Sequence, residues 1–336
     1  MRIPLFTCLI VLCFAAAVRG EENLLVDASF EGAASGNQLP AGWGSWQPEG
    51  SKYTAAVVGE AHTGSRAVLL EGDGKFMTFN TVDYPINPGD CYLFGGWVRL
   101  EDEAAEGSVK LDLTDKGGNW IGDTGGNYFK PGEAGWRSII MITSFEDVPA
   151  AAQFRLVFTL GGKGKLWLDD TYLEKISPPA RNGLLVNGDM ELTAREAVVG
   201  WQVNHDSAAE ASSSPGHDGV HGGKAALQIR GKGTWASANS LRVAARDDQR
   251  HTATAWVKVG DGNARLQFSY WNGGQYLGAT DTERATAGEW QQLTLEADMK
   301  KYETITHLSL AIICEGPKID VLIDDTEILE AGPMEK

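Results

Sequence analysis

Along most of this chain, apolar and polar residues alternate one by one. Val109, Leu111 and Leu113 alternate with Lys110, Asp112 and Thr114, and Leu266, Phe268 and Tyr270 follow the same rule further on. A period of two sends successive side chains to opposite faces, so each run reads as a half-buried strand. Phe154 to Phe158 and Leu308 to Ile312 are further strands, each followed by a glycine-bearing turn, while Gly117-Gly118 and Gly273-Gly274 punctuate hairpins. A helical period is hardly found beyond the first twenty residues. Many short strands at regular spacing predict an antiparallel sandwich rather than a parallel sheet with crossover helices.

The pattern occurs twice, with a period of about 155 residues. Asn23-Leu-Leu-Val-Asp-Ala-Ser-Phe-Glu31 answers Gly183-Leu-Leu-Val-Asn-Gly-Asp-Met-Glu191, and Gly42-Trp43 answers Gly200-Trp201. His62-Thr-Gly-Ser answers Val220-His-Gly-Gly, Trp97-Val-Arg answers Trp256-Val-Lys, and Trp136 answers Trp290. Leu166-Trp-Leu-Asp-Asp-Thr171 answers Val321-Leu-Ile-Asp-Asp-Thr326. The expected organisation is residues 1–20 as a secretory signal, 22–176 as the first copy, 177–182 as a proline-bearing linker and 183–331 as the second copy. Arg2, an apolar stretch from Leu5 to Val18 and the small residue Gly20 carry the signal reading. That stretch is too short for a membrane span, and no later one is apolar for long enough. The expected location is extracellular or periplasmic.

An opening Asn-Leu-Leu with Phe-Glu, a Gly-Trp, a His-Thr-Gly-Ser before a strand and a closing Leu-Asp-Asp together resemble carbohydrate-binding module families 4, 9 and 22. The resemblance covers both copies and is nearer in the first; the second has Met190 where the first has Phe30. It implies an all-β fold, two tandem antiparallel jelly-roll β-sandwich domains after the signal peptide, and a polysaccharide as ligand, with β-glucan or xylan the leading candidates. It also implies a structural calcium, whose acidic ligands fall on Glu31 and Asp169 in the first copy and on Glu191 and Asp324 in the second. A carboxylate from each end of a domain closes a long loop, and calcium prefers several hard oxygens. The alternative for the Asp-Asp pairs is a solvated strand end.

The aromatics divide by context. Trp43 and Trp201, Trp97 and Trp256, and Trp136 and Trp290 recur at matching places, as scaffold tryptophans do, and are assigned to packing. Trp46, Phe76 and Trp120 in the first copy, and Trp235, Trp271 and Tyr276 in the second, stand among glycines and polar residues. They are the candidate sugar platforms: a sugar offers an apolar C–H face to a ring and hydroxyls to flanking Asn, Gln or Asp.

Charge narrows the partners. Without Arg2 and Arg19 there remain 27 Lys and Arg against 45 Asp and Glu. That balance argues against nucleic acid, which calls for clustered cations. Past the signal only Cys91 and Cys314 remain, one per copy, and read as two buried thiols rather than a bridge. No Gly-x-Ser-x-Gly elbow, His-Glu-x-x-His or phosphate loop occurs, so a non-enzyme is expected. His217 and His221 lie in a loop, without helical spacing and without a counterpart in the first copy on the pairing above. Paired acids for glycoside hydrolysis are a distant alternative, because doubling suits binding avidity better than an active site. An extracellular scaffold that keeps the fold without the sugar site is the main rival. Aromatics gathered on one concave sheet face favour binding; scattered or buried ones favour the scaffold.

Overall fold

The structure, a computed structural model, describes residues 22–32, 38–102, 104–129, 135–145, 150–195, 197–205, 210–246, 248–272, 275–302 and 304–333. The signal segment lies outside the described residues. The fold is all-β: two successive sets of antiparallel strands, with no helix among the described residues, and none long and apolar enough to cross a membrane.

The first copy is built from β1 (Trp43–Trp46), β2 (Lys52–Val58), β3 (Ala67–Asp73), β4 (Phe76–Thr81), β5 (Tyr84–Pro85), β6 (Cys91–Glu101), β7 (Glu106–Thr114), β8 (Trp120–Asp123), β9 (Asn127–Phe129), β10 (Arg137–Ser144), β11 (Gln153–Gly161) and β12 (Gly164–Ile176). One sheet runs β1-β4-β11-β7-β8, with β5 paired to β11 and β9 to β7; the other runs β10-β6-β12-β3-β2. The alternation read in the sequence decides what lies between them. Met77 and Phe79 of β4, Val109, Leu111 and Leu113 of β7, and Phe154, Leu156, Phe158 and Leu160 of β11 meet Val98, Leu166 and Leu168 of the facing sheet in one core. Trp43 closes one end, stacked on Phe79 with ring centroids 4.7 Å apart and donating its indole N–H to the Val26 carbonyl.

In the second copy two long strands, Gln249–Asn272 and His307–Pro333, pass through both layers and join ten strands into one sheet, with two short two-stranded pairs beside it. The register shifts around Asp261, next to Gly262 at φ 87°, and Gly316 stands at φ 145°, so both strands bend there. Ala253, Ala255 and Val257 before the bend share a core with Leu266, Phe268 and Tyr270 after it. The corresponding β6/β7 and β11/β12 pairs of the first copy are interrupted instead.

Every strand pairing joins residues within 43–176 or within 181–333. Residues 177–180 carry no strand, while Arg181–Asn182 already pairs with Leu185–Val186. The two copies meet through side chains. Cys91, Leu93, Ile142, Tyr172 and Ile176, on the outer face of the first copy's β6, β10 and β12, pack with Val199, and Val186, Leu192, Ala194 and Leu241 border them. Each such burial contributes about 1.5–3 kcal/mol relative to exposure. Arg195 adds its guanidinium, 4.0 Å above the Tyr172 ring and 2.6 Å from Glu174. Among the described residues no disulfide joins Cys91 and Cys314: Cys91 lies in this seam, and Cys314 lies in the second core, where burial pushes its thiol up to about 12.

Candidate functional site: the outer face of the first sheet

The face of the β1-β4-β11-β7-β8 sheet turned away from the core carries a row of residues in direct register. Trp46 lies opposite Thr78, Thr78 opposite Thr159, Thr159 opposite Ser108, and Ser108 opposite Tyr128. Partners in register point to the same face. Four strand spacings of roughly 4.8 Å set the two aromatics about 19 Å apart, with three small hydroxyl residues between them. Trp46 is 57% exposed and Tyr128 68%. Phe76 stands beside Trp46, ring centroids 5.7 Å apart. Trp120, 60% exposed, rises from β8 opposite Thr114. Between the aromatics Lys110 is held 2.8 Å from Asp123 and 3.1 Å from Asp112. Burial works against the Lys110 charge, but the two carboxylates outweigh it and raise its pKa above the ordinary lysine value. The result is a trough with aromatic walls, a floor of short side chains and a charged centre.

The three platforms named for the first copy therefore share one face. Tyr128 belongs with them and was missed, although its setting, Gly125-Gly126-Asn127-Tyr128, is the glycine-rich polar context that singled out the others.

The second copy fills the same face. Its corresponding row is Asn204, Ser237, Ile313 and Arg265. Arg265 reaches Glu315 at 2.5 Å and Asp281 at 3.2 Å, and Arg284 grips the other Glu315 oxygen at 2.8 Å. Burial opposes the Glu315 charge, yet the two guanidiniums hold its carboxyl below the ordinary value. The platforms here are separated. Trp235 stands at a strand end opposite Glu315, whereas Trp271 and Tyr276 pair at 5.2 Å beside Arg242, whose guanidinium lies 3.7 Å over the Trp271 ring.

The four predicted calcium ligands all accept hydrogen bonds from the histidine loops. Glu31 accepts the N–H groups of Ser65 and Arg66 and the Ser65 hydroxyl at 2.7–2.9 Å, and Asp169 accepts those of His62, Thr63 and Asp170 at 2.7–3.1 Å. Glu191 and Asp324 repeat the arrangement on Lys224, Ala225, His221, Gly222 and Asp325. A carboxylate offers about four lone-pair sites, and a calcium ion wants six to eight oxygens in all. Among the described residues no group of three or more His, Cys, Asp or Glu side chains gathers as a metal centre does. As placed, each of these carboxylates clasps a loop by its N–H groups.

The clasp corrects the pairing of the two copies by one residue. His221, not Val220, takes the place of His62. Each histidine stacks on a tryptophan, His62 on Trp97 at 3.8 Å and His221 on Trp256 at 4.0 Å. Each turns its ring edge to Trp136 or Trp290, and each sets Nδ1 2.8 or 2.6 Å from Asp170 or Asp325. So His221 has a counterpart after all. These four tryptophans are also not core: they are half-buried around the two histidines, and of the six only Trp43 and Trp201 pack inside as expected. The alternating pattern could have shown this, because Trp97 falls out of step with the buried Val98 and Leu100.

No family model and no curated protein matches the chain. Among solved structures it is similar to the N-terminal CBM22-1-CBM22-2 tandem domain of Paenibacillus barcinonensis Xyn10C, at 13% identity over 95% of this chain and 100% of that one, with a TM-score of 0.36. It is similar to the C-terminal family 22 carbohydrate-binding module of Clostridium thermocellum Xyn10B, at 16% identity over 45% of this chain and 92% of that one, TM-score 0.33. A cyclase from Fischerella sp. TAU shares 13% identity over 44% of this chain and 93% of that one, TM-score 0.36.

Proposed function

We propose that the first copy binds a polysaccharide chain along its aromatic trough without cleaving it, and that the second copy positions the first rather than binding in a trough of its own. The observation that carries this is the Trp46–Thr78–Thr159–Ser108–Tyr128 row. Rings at both ends stack on sugar faces, while short hydroxyl residues leave room for a chain and bond its rim. By resemblance a β-glucan or xylan is the proposed polymer, met outside the cell after export. A scaffold reading is favoured for the second copy alone, by the Arg265–Glu315–Arg284 network across the equivalent face.

Affinity gels loaded with soluble β-glucan or xylan test the proposal. The parent chain should be retarded and should release no reducing ends. Trp46→Ala and Tyr128→Ala should each weaken binding about three- to tenfold, since an aromatic contact contributes about 0.5–1.5 kcal/mol beyond area burial. Unretarded migration of the parent across both polymers sinks the proposal, and released reducing ends would make the trough an active site.

A further inference from the structure

One exposed ring of the trough face, Trp120, stands away from the Trp46–Tyr128 row. It lies opposite Thr114 of β7, as Tyr128 lies opposite Ser108, so both rings rise along the same side of that strand. Six residues of β7 separate Ser108 from Thr114, about 20 Å at the usual strand rise. Lys110, Asp112 and Asp123 lie on the face between them. A bulge aims Trp120 this way. Gly122 pairs with Leu113 and Trp120 with Thr114, which leaves Ile121 without a partner, and Gly122 takes φ 135°. Strict alternation from Asp123 would have sent Ile121 to the outer face and Trp120 inwards; the extra residue reverses them. The preceding turn is held by one carboxylate. Asp115 accepts the N–H groups of Gly117 and Asn119 at 2.8 and 2.9 Å and the Asn119 amide at 3.0 Å, while its own N–H donates to the Asn119 carbonyl. The ring placed so firmly is 60% exposed, and among the described residues nothing stacks on it or bonds its indole N–H.

We propose that Trp120 is the far platform of a second lane, which runs along β7 from Tyr128 over Lys110 and Asp112 and takes a branch of the polysaccharide whose main chain lies on the row. This rests on the proposed function and specifies its ligand: a branched polymer with side chains several sugars long. The two lanes meet at Tyr128 nearly at right angles, since one crosses the strands and the other follows them. An extended β-linked chain does not turn so sharply, whereas a branch point does. The middle of the lane suits hydroxyl groups. Lys110 engages Asp112 and Asp123 with two of its three N–H donors and keeps one, and the carboxylates accept. A platform fixed before the ligand arrives also loses little freedom on binding.

Affinity gels cast with a soluble linear β-glucan, and with the same backbone bearing oligoglucosyl side chains, test it on the full chain; a linear and a branched xylan form the parallel pair. The parent should bind the branched polymer about three- to tenfold more tightly than the linear one, the contribution of one aromatic platform. Trp120→Ala should erase that preference, whereas Trp46→Ala should weaken both polymers and keep it. Equal affinity of the parent for linear and branched polymers overturns the branch lane and leaves the row standing. Equal losses on both polymers from Trp120→Ala overturn it too, because the lane would then hold a bent main chain. If none of the four polymers retards the parent, the proposed function falls and the branch lane with it.

Discussion

Two carboxylates of opposite electrostatic character hold the His62 loop. Hydrogen bonds from Ser65 and Arg66 draw the Glu31 carboxyl below its ordinary value, whereas burial raises that of Asp169 against its own donors. The signs follow. Glu31 stabilises the fold above the ordinary glutamate range, near about 4.3, and loses that contribution as pH falls through its lower folded value. Asp169, with its folded pKa raised, weakens the fold at neutral pH, and protonation relieves it before Glu31 is affected. Melting midpoints measured across the acid range should therefore fall less steeply for Glu31→Gln than for the parent. Asp169→Ala strands the His62 and Thr63 N–H groups and should cost about 1–3 kcal/mol in denaturant unfolding. Because the loop's own N–H groups already engage these oxygens, a chelator should leave the midpoint unmoved; a drop restored by Ca²⁺ would place an ion in the clasp.

At the level of strands, the trough wall depends on a glycine that never touches it. A Cβ at Gly107 would lie 1.9 Å from the Phe129 ring, which seats β9 against β7. Gly107→Ala should push Phe129 out and carry Tyr128 with it. Overpacking of this kind typically costs about 1–3 kcal/mol, and glycan affinity should fall although no contact residue has changed. Unaltered binding by a folded Gly107→Ala protein would mean that Tyr128 is held some other way. The strands themselves were legible, because Val109, Leu111 and Leu113 announce their face by alternation alone. The platforms were partly legible: Trp46, Phe76 and Trp120 share a face, yet nothing local to Trp235 or Trp271 tells that Arg265, Glu315 and Arg284 occupy the space between strands. That depends on cross-strand register, which pairs residues distant in the chain. The slip between His62 and Val220 has the same root, since similarity of letters placed the loop and the carboxylates' hydrogen bonds fixed its register.

The whole molecule turns on the seam. Ile142 and Leu93 are buried on the outside of a sheet, where the sequence pattern would call for polar residues, and they become intelligible only with the second copy resting on them. Heating the parent should unfold both copies in one calorimetric transition. Ile142→Asp should separate it into two by burying a charge in the seam, and a single transition in that variant would show that the copies are coupled elsewhere.

The contact is also used once only. Through the register with the long strands, Leu93 and Ile142 correspond in the second copy to Thr252 and Glu296, and Tyr172 to Glu327, so the second copy offers a polar face where the first offers an apolar one. The docking side chains are still duplicated: Val26 and Val82, which match Val186 and Leu241, are 56% and 54% exposed on the first copy with nothing seated on them. A head-to-tail contact of this kind is the geometry of an open filament, because each unit that docks presents the next socket. Here growth stops after one step for lack of a second socket. Replacing Thr252, Glu296 and Glu327 by Leu, Ile and Tyr would supply it, and light scattering should then show chains adding end to end at concentrations where the parent stays a monodisperse species.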